Sequence, residues 1–165
     1  MKVFGIDPGS RVTGFGVVER RRGRLCFIDA GCVKTNASQP MEERLLAIYT
    51  GLVEALTRHS DVDSVAIEAI FKHKSAESAI RLGQARGVAL LAAAQAGFNA
   101  VPYNPGTVKR TVGAHGAADK NAVARVVTML LGELPPGPHD VADALAIAIT
   151  HLSHARNAVP VRRAR

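Results

Sequence analysis

The sequence predicts an α/β domain, a mixed five-stranded sheet flanked by helices. Three observations predict it. Three short apolar runs, residues 2–6, 12–19 and 25–32, follow one another with only turns between them. After them, segments with helical periodicity alternate with two further short apolar runs, residues 65–70 and 100–103. Prolines and glycines stand at the joints, at Pro8-Gly9, Pro40 and the Pro135, Pro136, Pro138 cluster.

Each element has its own warrant. Residues 2–6 form a strand that ends in Asp7 and a Pro8-Gly9 turn. Residues 12–19, with Gly14 and Gly16 inside, and residues 25–32 complete an antiparallel meander around a basic turn at 20–24. Pro40 opens a helix over 41–58, whose apolar residues Leu45, Leu46, Tyr49, Leu52, Val53 and Leu56 keep helical spacing. The run 65–70 is a fourth strand, parallel to the first across that helix. Residues 71–74 read as an exposed loop. Ser75 is the N-cap of a helix over 75–96, with Glu77 and Ser78 in its first turn. Gly83 and Gly87 weaken that helix, which calls for the close approach of another backbone, either within the fold or from a second copy of the chain. Residues 100–103 are the fifth strand, 105–112 a short helix, 113–116 a loop and 119–131 another helix. The proline cluster ends it, and the final helix runs from about 139 to 155 on Ala and Leu.

Length and composition bound the rest. The chain has 165 residues, of which 47% are hydrophobic, enough for one domain with a full core. That domain spans 1–156, and 157–165, with three arginines and a proline, is expected to be a disordered basic tail. No run approaches a membrane span and the N-terminus lacks a signal-peptide pattern. Cys26 and Cys32 have no metal or disulfide spacing, as expected in a reducing cytoplasm. The net charge of +7 suits a polyanionic substrate.

Against that basic background, four acids stand where solvation is poor. Asp7 closes the first strand, and Glu68 sits inside the fourth. Asp140 and Asp143 lie at i and i+3 at the mouth of an otherwise apolar helix, so both carboxylates point the same way. Acids in a first helical turn also suit the helix dipole. A shared divalent metal site explains all four together. His139, beside Asp140 and four residues before Asp143, is either a neighbour that orients a ligand or an exposed residue at the helix start. His151 and His154 near the helix C-terminus read as cations favoured by the dipole rather than as metal ligands. Phe71 with Lys72 and Lys74 combines an aromatic with phosphate-neutralising cations.

These residues carry a resemblance. Gly5-Ile6-Asp7-Pro8-Gly9-Ser10-Arg11-Val12-Thr13-Gly14, Ala66-Ile67-Glu68, Leu82-Gly83-Gln84-Ala85-Arg86-Gly87 and the stretch from Asp140 through Ala148 closely resemble, in the same order, the RuvC family of bacterial Holliday junction resolvases. The resemblance runs from the first strand to about His151. It implies a ribonuclease-H-like fold and a homodimer that cuts four-way DNA junctions with Mg²⁺ or Mn²⁺, two ions per site. It also implies work alongside the branch-migration proteins RuvA and RuvB. The resemblance makes Asp7, Glu68, Asp140 and Asp143 the catalytic and metal-holding residues, Phe71 an aromatic wedge, and Lys109 and Lys120 DNA contacts. Other readings stay open. The Ile6-to-Ser10 turn is similar to the first phosphate loop of actin-like ATPases, although this chain is long enough for only one such lobe. A nuclease of the same fold acting on another nucleic acid, and a non-catalytic junction-binding module, are the remaining two.

Overall fold

The computed structural model describes residues 1–69, 75–113, 121–132 and 137–155. Strand β1 (Lys2–Asp7) is the centre of a five-stranded sheet. It pairs antiparallel with β2 (Val12–Arg21) and parallel with β4 (Ser64–Glu68). Beyond them lie β3 (Arg24–Lys34), antiparallel to β2, and β5 (Ala100–Tyr103), parallel to β4. The order is therefore β3-β2-β1-β4-β5. The meander and the parallel crossover are as the sequence predicts. Arg22 and Gly23 make the β2–β3 turn with φ of 48° and 83°, the left-handed pair that a tight hairpin needs. That turn lets the ladder run past the apolar pattern into Arg20, Arg21 and Arg24, so β2 and β3 are longer than expected. Strand β4 is shorter than expected and stops at Glu68. The Ala69 N–H still reaches the Tyr103 carbonyl at 2.8 Å.

Among the described residues five helices cover the sheet: α1 (Met41–Arg58), α2 (Ala76–Gln95), α3 (Pro105–Val112), α4 (Ala122–Leu131) and α5 (His139–His154). The period of two along the strands sorts them into two layers. Phe4, Ile6, Phe15, Val17, Val65 and Ile67 point to one face and pack with α1 and α2. Val3, Val18 and Ala66 point to the other and pack with α3, α4 and α5. Ser75 caps α2 as expected, its Oγ accepting from the Ser78 N–H at 3.2 Å. Helix α5 is buried along almost its whole length from Val141 to Leu152, with Asp143 the exception. No helix among the described residues is long and apolar enough to cross a membrane. Cys26 and Cys32 are free and half-buried on β3. The start of the helix expected at 119 and the tail expected at 157–165 lie outside the described residues.

Candidate active site

Asp7 shares the face of Val3 and Gly5, and Glu68 shares the face of Ala66, so strand periodicity sends both carboxylates to the α5 side. Ile6 pairs with Ile67, so the two acids emerge side by side at the C-terminal ends of adjacent parallel strands. What brings α5 to them is a platform of glycines. Gly5 pairs with Gly16, and Asp7 with Gly14, so three positions with no side chain lie together beneath the helix. A Cβ on Gly5 would meet the Ala144 carbonyl and the Ala148 backbone nitrogen; one on Gly14 would meet the Asp140 carbonyl; one on Gly16 would meet Leu145. The backbone of α5 thus rests on the sheet itself, and Ala144 and Ala148 keep that contact close.

Asp140 and Asp143 are carried on the first turns of that helix and overlook Asp7 and Glu68. The electrostatics report the convergence. Burial holds the Asp7 carboxyl well above its ordinary value of 3.8, and the charges of Glu68, Asp143 and Asp140 push it further the same way. A hydrogen bond between the two carboxyl groups adds a little to the rise at Asp7 and works against it at Glu68. Burial also raises Glu68, with Asp143 adding to the rise, while the bond from Asp7 and the Lys109 charge oppose it. Asp143 is raised by burial and then by Asp140, against His139 and Lys109. Four acids from three separate segments therefore feel one another across a poorly solvated pocket.

Oxygen donors alone make this a set for a hard cation such as Mg²⁺ or Mn²⁺. Among the described residues no three His, Cys, Asp or Glu side chains converge on one point at metal-ligand spacing.

Three basic residues serve the site. Lys109, on α3, lines a cleft of about 220 Å³ with Glu68, Asp143, Val108 and Ile147. Arg86, on α2, donates from Nε to the Glu68 carbonyl at 3.0 Å and so fixes the end of β4. Arg44, buried on α1, donates to the Ser10 carbonyl, holding the turn that follows Asp7. Arg86 belongs to the motif over 82–87, but nothing in its spacing shows that it reaches back to Glu68. His139 sits at the start of α5, exposed, and its charge acts on Asp143.

A family model described as Crossover junction endodeoxyribonuclease RuvC matches residues 3–151. The chain belongs to the RuvC family. The Myxococcus xanthus RuvC is 48% identical to it over 99% of this chain and 86% of that protein. The Chloroflexus aggregans RuvC is 47% identical over 92% of each. The structure of Thermus thermophilus RuvC in complex with Holliday junction substrate superposes with a TM-score of 0.85 at 39% identity, covering 94% of this chain and 95% of that one. A yeast mitochondrial Holliday junction resolvase shares the fold, with a TM-score of 0.63 at 12% identity over 94% of this chain and 81% of that one. The ribonuclease-H-like expectation therefore holds, and membership of the RuvC family sets aside the ATPase reading.

The other expected contacts divide. Phe71, Lys72, Lys74 and Lys120 lie outside the described residues. The pairing of His151 and His154 as cations at a helix end is corrected at His151. It is buried, its Nδ1 lies 3.1 Å from the Tyr103 hydroxyl, and burial together with His154 pushes its pKa below 6.5. His154 is exposed and lies 3.2 Å from the Thr111 hydroxyl.

Proposed function

We propose that this protein resolves four-way DNA junctions by paired symmetric nicks, using divalent-metal-assisted phosphodiester hydrolysis with Asp7, Glu68, Asp140 and Asp143 as the residues that hold two Mg²⁺ or Mn²⁺ ions. The observation that carries the reading is the meeting of these four acids on one face of the sheet, in a basic chain of the RuvC family. A pure phosphate binder gains nothing from four acids at its centre, which argues against a non-catalytic module. When bound, such ions polarise the phosphate and lower the pKa of the attacking water. The chain's own residues supply the rest. The glycine platform fixes the height of Asp140 and Asp143 over Asp7. Arg86 holds the backbone of Glu68. Lys109 offers a cation to the phosphate beside Glu68 and Asp143. Phe71, Lys72, Lys74 and Lys120 carry the wedge and DNA-contact roles in this reading.

A four-way junction has near two-fold symmetry, so the enzyme acts as a two-fold dimer with one site per nick. Helix α2 supports the contact. Ile80 and Leu91 are 62% and 58% exposed, at helical spacing with Gln84 and Gly87, and a Cβ on Gly87 would meet nothing within 4 Å. Among the described residues no backbone crosses there, which leaves the apolar face for a second copy. RuvA and RuvB are its proposed partners and the cytoplasm its proposed place of work.

The deciding experiment is cleavage of a synthetic four-way junction, with linear duplex as control, in Mg²⁺, Mn²⁺ and EDTA. Symmetric nicks in the junction alone, lost in EDTA and in Asp7→Asn, support the reading. Equal cutting of linear duplex points to a general nuclease, and tight binding without cutting in either metal to a binding module.

A further inference from the structure

A second cleft, of about 410 Å³, opens against Asp140 and shares no lining residue with the Lys109 cleft. Its walls are the turn after β1 (Gly9, Ser10, Arg11), the start of α2 (Ser78, Arg81) and Asp140 itself. The acids thus lie between two clefts, Glu68 and Asp143 lining one and Asp140 the other. Each cleft carries cations, Lys109 on the first side and Arg11 with Arg81 on the second.

The second cleft is built for an anion. The Arg11 guanidinium is exposed and has no acceptor among the described residues. Among the described residues Arg81 is engaged by Glu77 one turn away, an exposed pair that is easily given up. Behind the turn stands Arg44, a buried guanidinium whose side-chain hydrogen bonds go to the Ser10 carbonyl and to Thr35 Oγ1, the latter at 3.2 Å. Thr35 Oγ1 donates to the same Ser10 carbonyl at 2.7 Å. Two donors therefore draw that carbonyl inward. Across a trans peptide the N–H of the next residue points the opposite way, so the Arg11 N–H faces outward; it has no acceptor among the described residues.

We propose that this cleft seats the DNA phosphate next to the one being cut, held by the Arg11 and Arg81 side chains and the Arg11 backbone N–H, with Arg44 as the positioning residue behind the turn. The cut strand then runs from the Lys109 cleft, across the four acids, into the Arg11–Arg81 cleft. The inference rests on the reading that the scissile phosphate lies over Asp7.

The test uses full-length protein and junctions carrying one neutral methylphosphonate on either side of the cleavage position, with binding measured in EDTA. Wild type should lose about tenfold in affinity for a replacement at the seated phosphate, the loss of one charge-assisted contact. Arg11→Gln and Arg81→Gln, both surface changes, should bind the unmodified junction more weakly. They should be indifferent to that replacement while keeping their response to the one on the other side. Their salt dependence should flatten by about one unit of slope per contact removed. Arg44→Lys, which keeps the charge and loses the fork, should blunt the response at the same phosphate only, whereas general loosening of the fold would weaken every phosphate alike. If the glutamine variants respond to both replacements as wild type does, the assignment is wrong. Cleavage of the unmodified junction in Mg²⁺ separates the two claims. Wild type that cuts while its variants respond normally overturns this cleft alone, and wild type that does not cut overturns the active-site reading beneath it.

Discussion

Gly14→Ala tests the glycine platform directly. A Cβ at this position would lie 2.5 Å from the Asp140 carbonyl carbon and 3.1 Å from the Val141 nitrogen. All the atoms it meets are backbone, so no rotamer change relieves the clash. The start of α5 must back away by about 1 Å, at a stability cost of about 1–3 kcal/mol for overpacking. A domain of this size has about 5–15 kcal/mol in hand, so the variant stays folded. The larger effect is on chemistry, because the retreating residue is Asp140. A displacement of about 1 Å in a catalytic group costs about a hundredfold in rate. Gly16→Ala is the matched control. Its Cβ would press on the Leu145 side chain, at 2.7 Å from Cγ, and less closely on the Leu145 backbone nitrogen at 2.9 Å, one turn and more beyond Asp140. It should lose comparable stability and far less rate. The assay is single-turnover junction cleavage at saturating protein and metal, beside urea unfolding of each variant. Wild-type cleavage by Gly14→Ala, or equal rate losses in the two variants, refutes the claim that the platform sets the height of the acids.

The remaining predictions concern charge, positioning and assembly. Asp7→Asn should abolish cleavage, retain junction binding and stabilise the metal-free protein. A carboxyl whose folded pKa lies above 3.8 costs stability in full above that raised value and costs none below the unfolded one. Metal-free wild type should therefore gain on Asp7→Asn as the pH falls from neutral toward the ordinary value of 3.8, and urea midpoints in EDTA that keep a constant gap would contradict the shift. Arg86→Gln removes the bond to the Glu68 carbonyl and should slow cleavage about tenfold while leaving junction affinity intact, as kinetics and binding together will show. Proton NMR should place the His151 pKa below 6.5, and an ordinary value would mean that the ring is solvated rather than buried against Tyr103. Leu91→Glu should leave a folded monomer in sedimentation at micromolar concentration, with single nicks replacing paired ones; an intact dimer would move the interface away from α2.

Much of this was legible in the sequence because it is local. The runs at 2–6, 12–19 and 25–32 are short, apolar and separated only by turns, so the meander follows from neighbouring residues alone. Helix α1 shows its period, Ser75 its cap, and the proline cluster the start of α5. The four acids stood out because each is a charge in an apolar stretch, but that Asp7 and Glu68 share a face follows only from the register of β1 with β4. What the sequence could not express is contact between segments far apart along the chain. Gly14 and Gly16 read as weak points in a strand until α5 is laid across them, and Arg86 reads as one basic residue of a helix until its guanidinium is seen on the Glu68 carbonyl. His151 looked like a helix-end cation because its spacing from His154 is visible in the sequence and its burial against Tyr103 is not. Residue types and periods fix which groups must leave water. Only the packed structure decides which of them meet, because that depends on sub-ångström fits between backbones that no local pattern encodes.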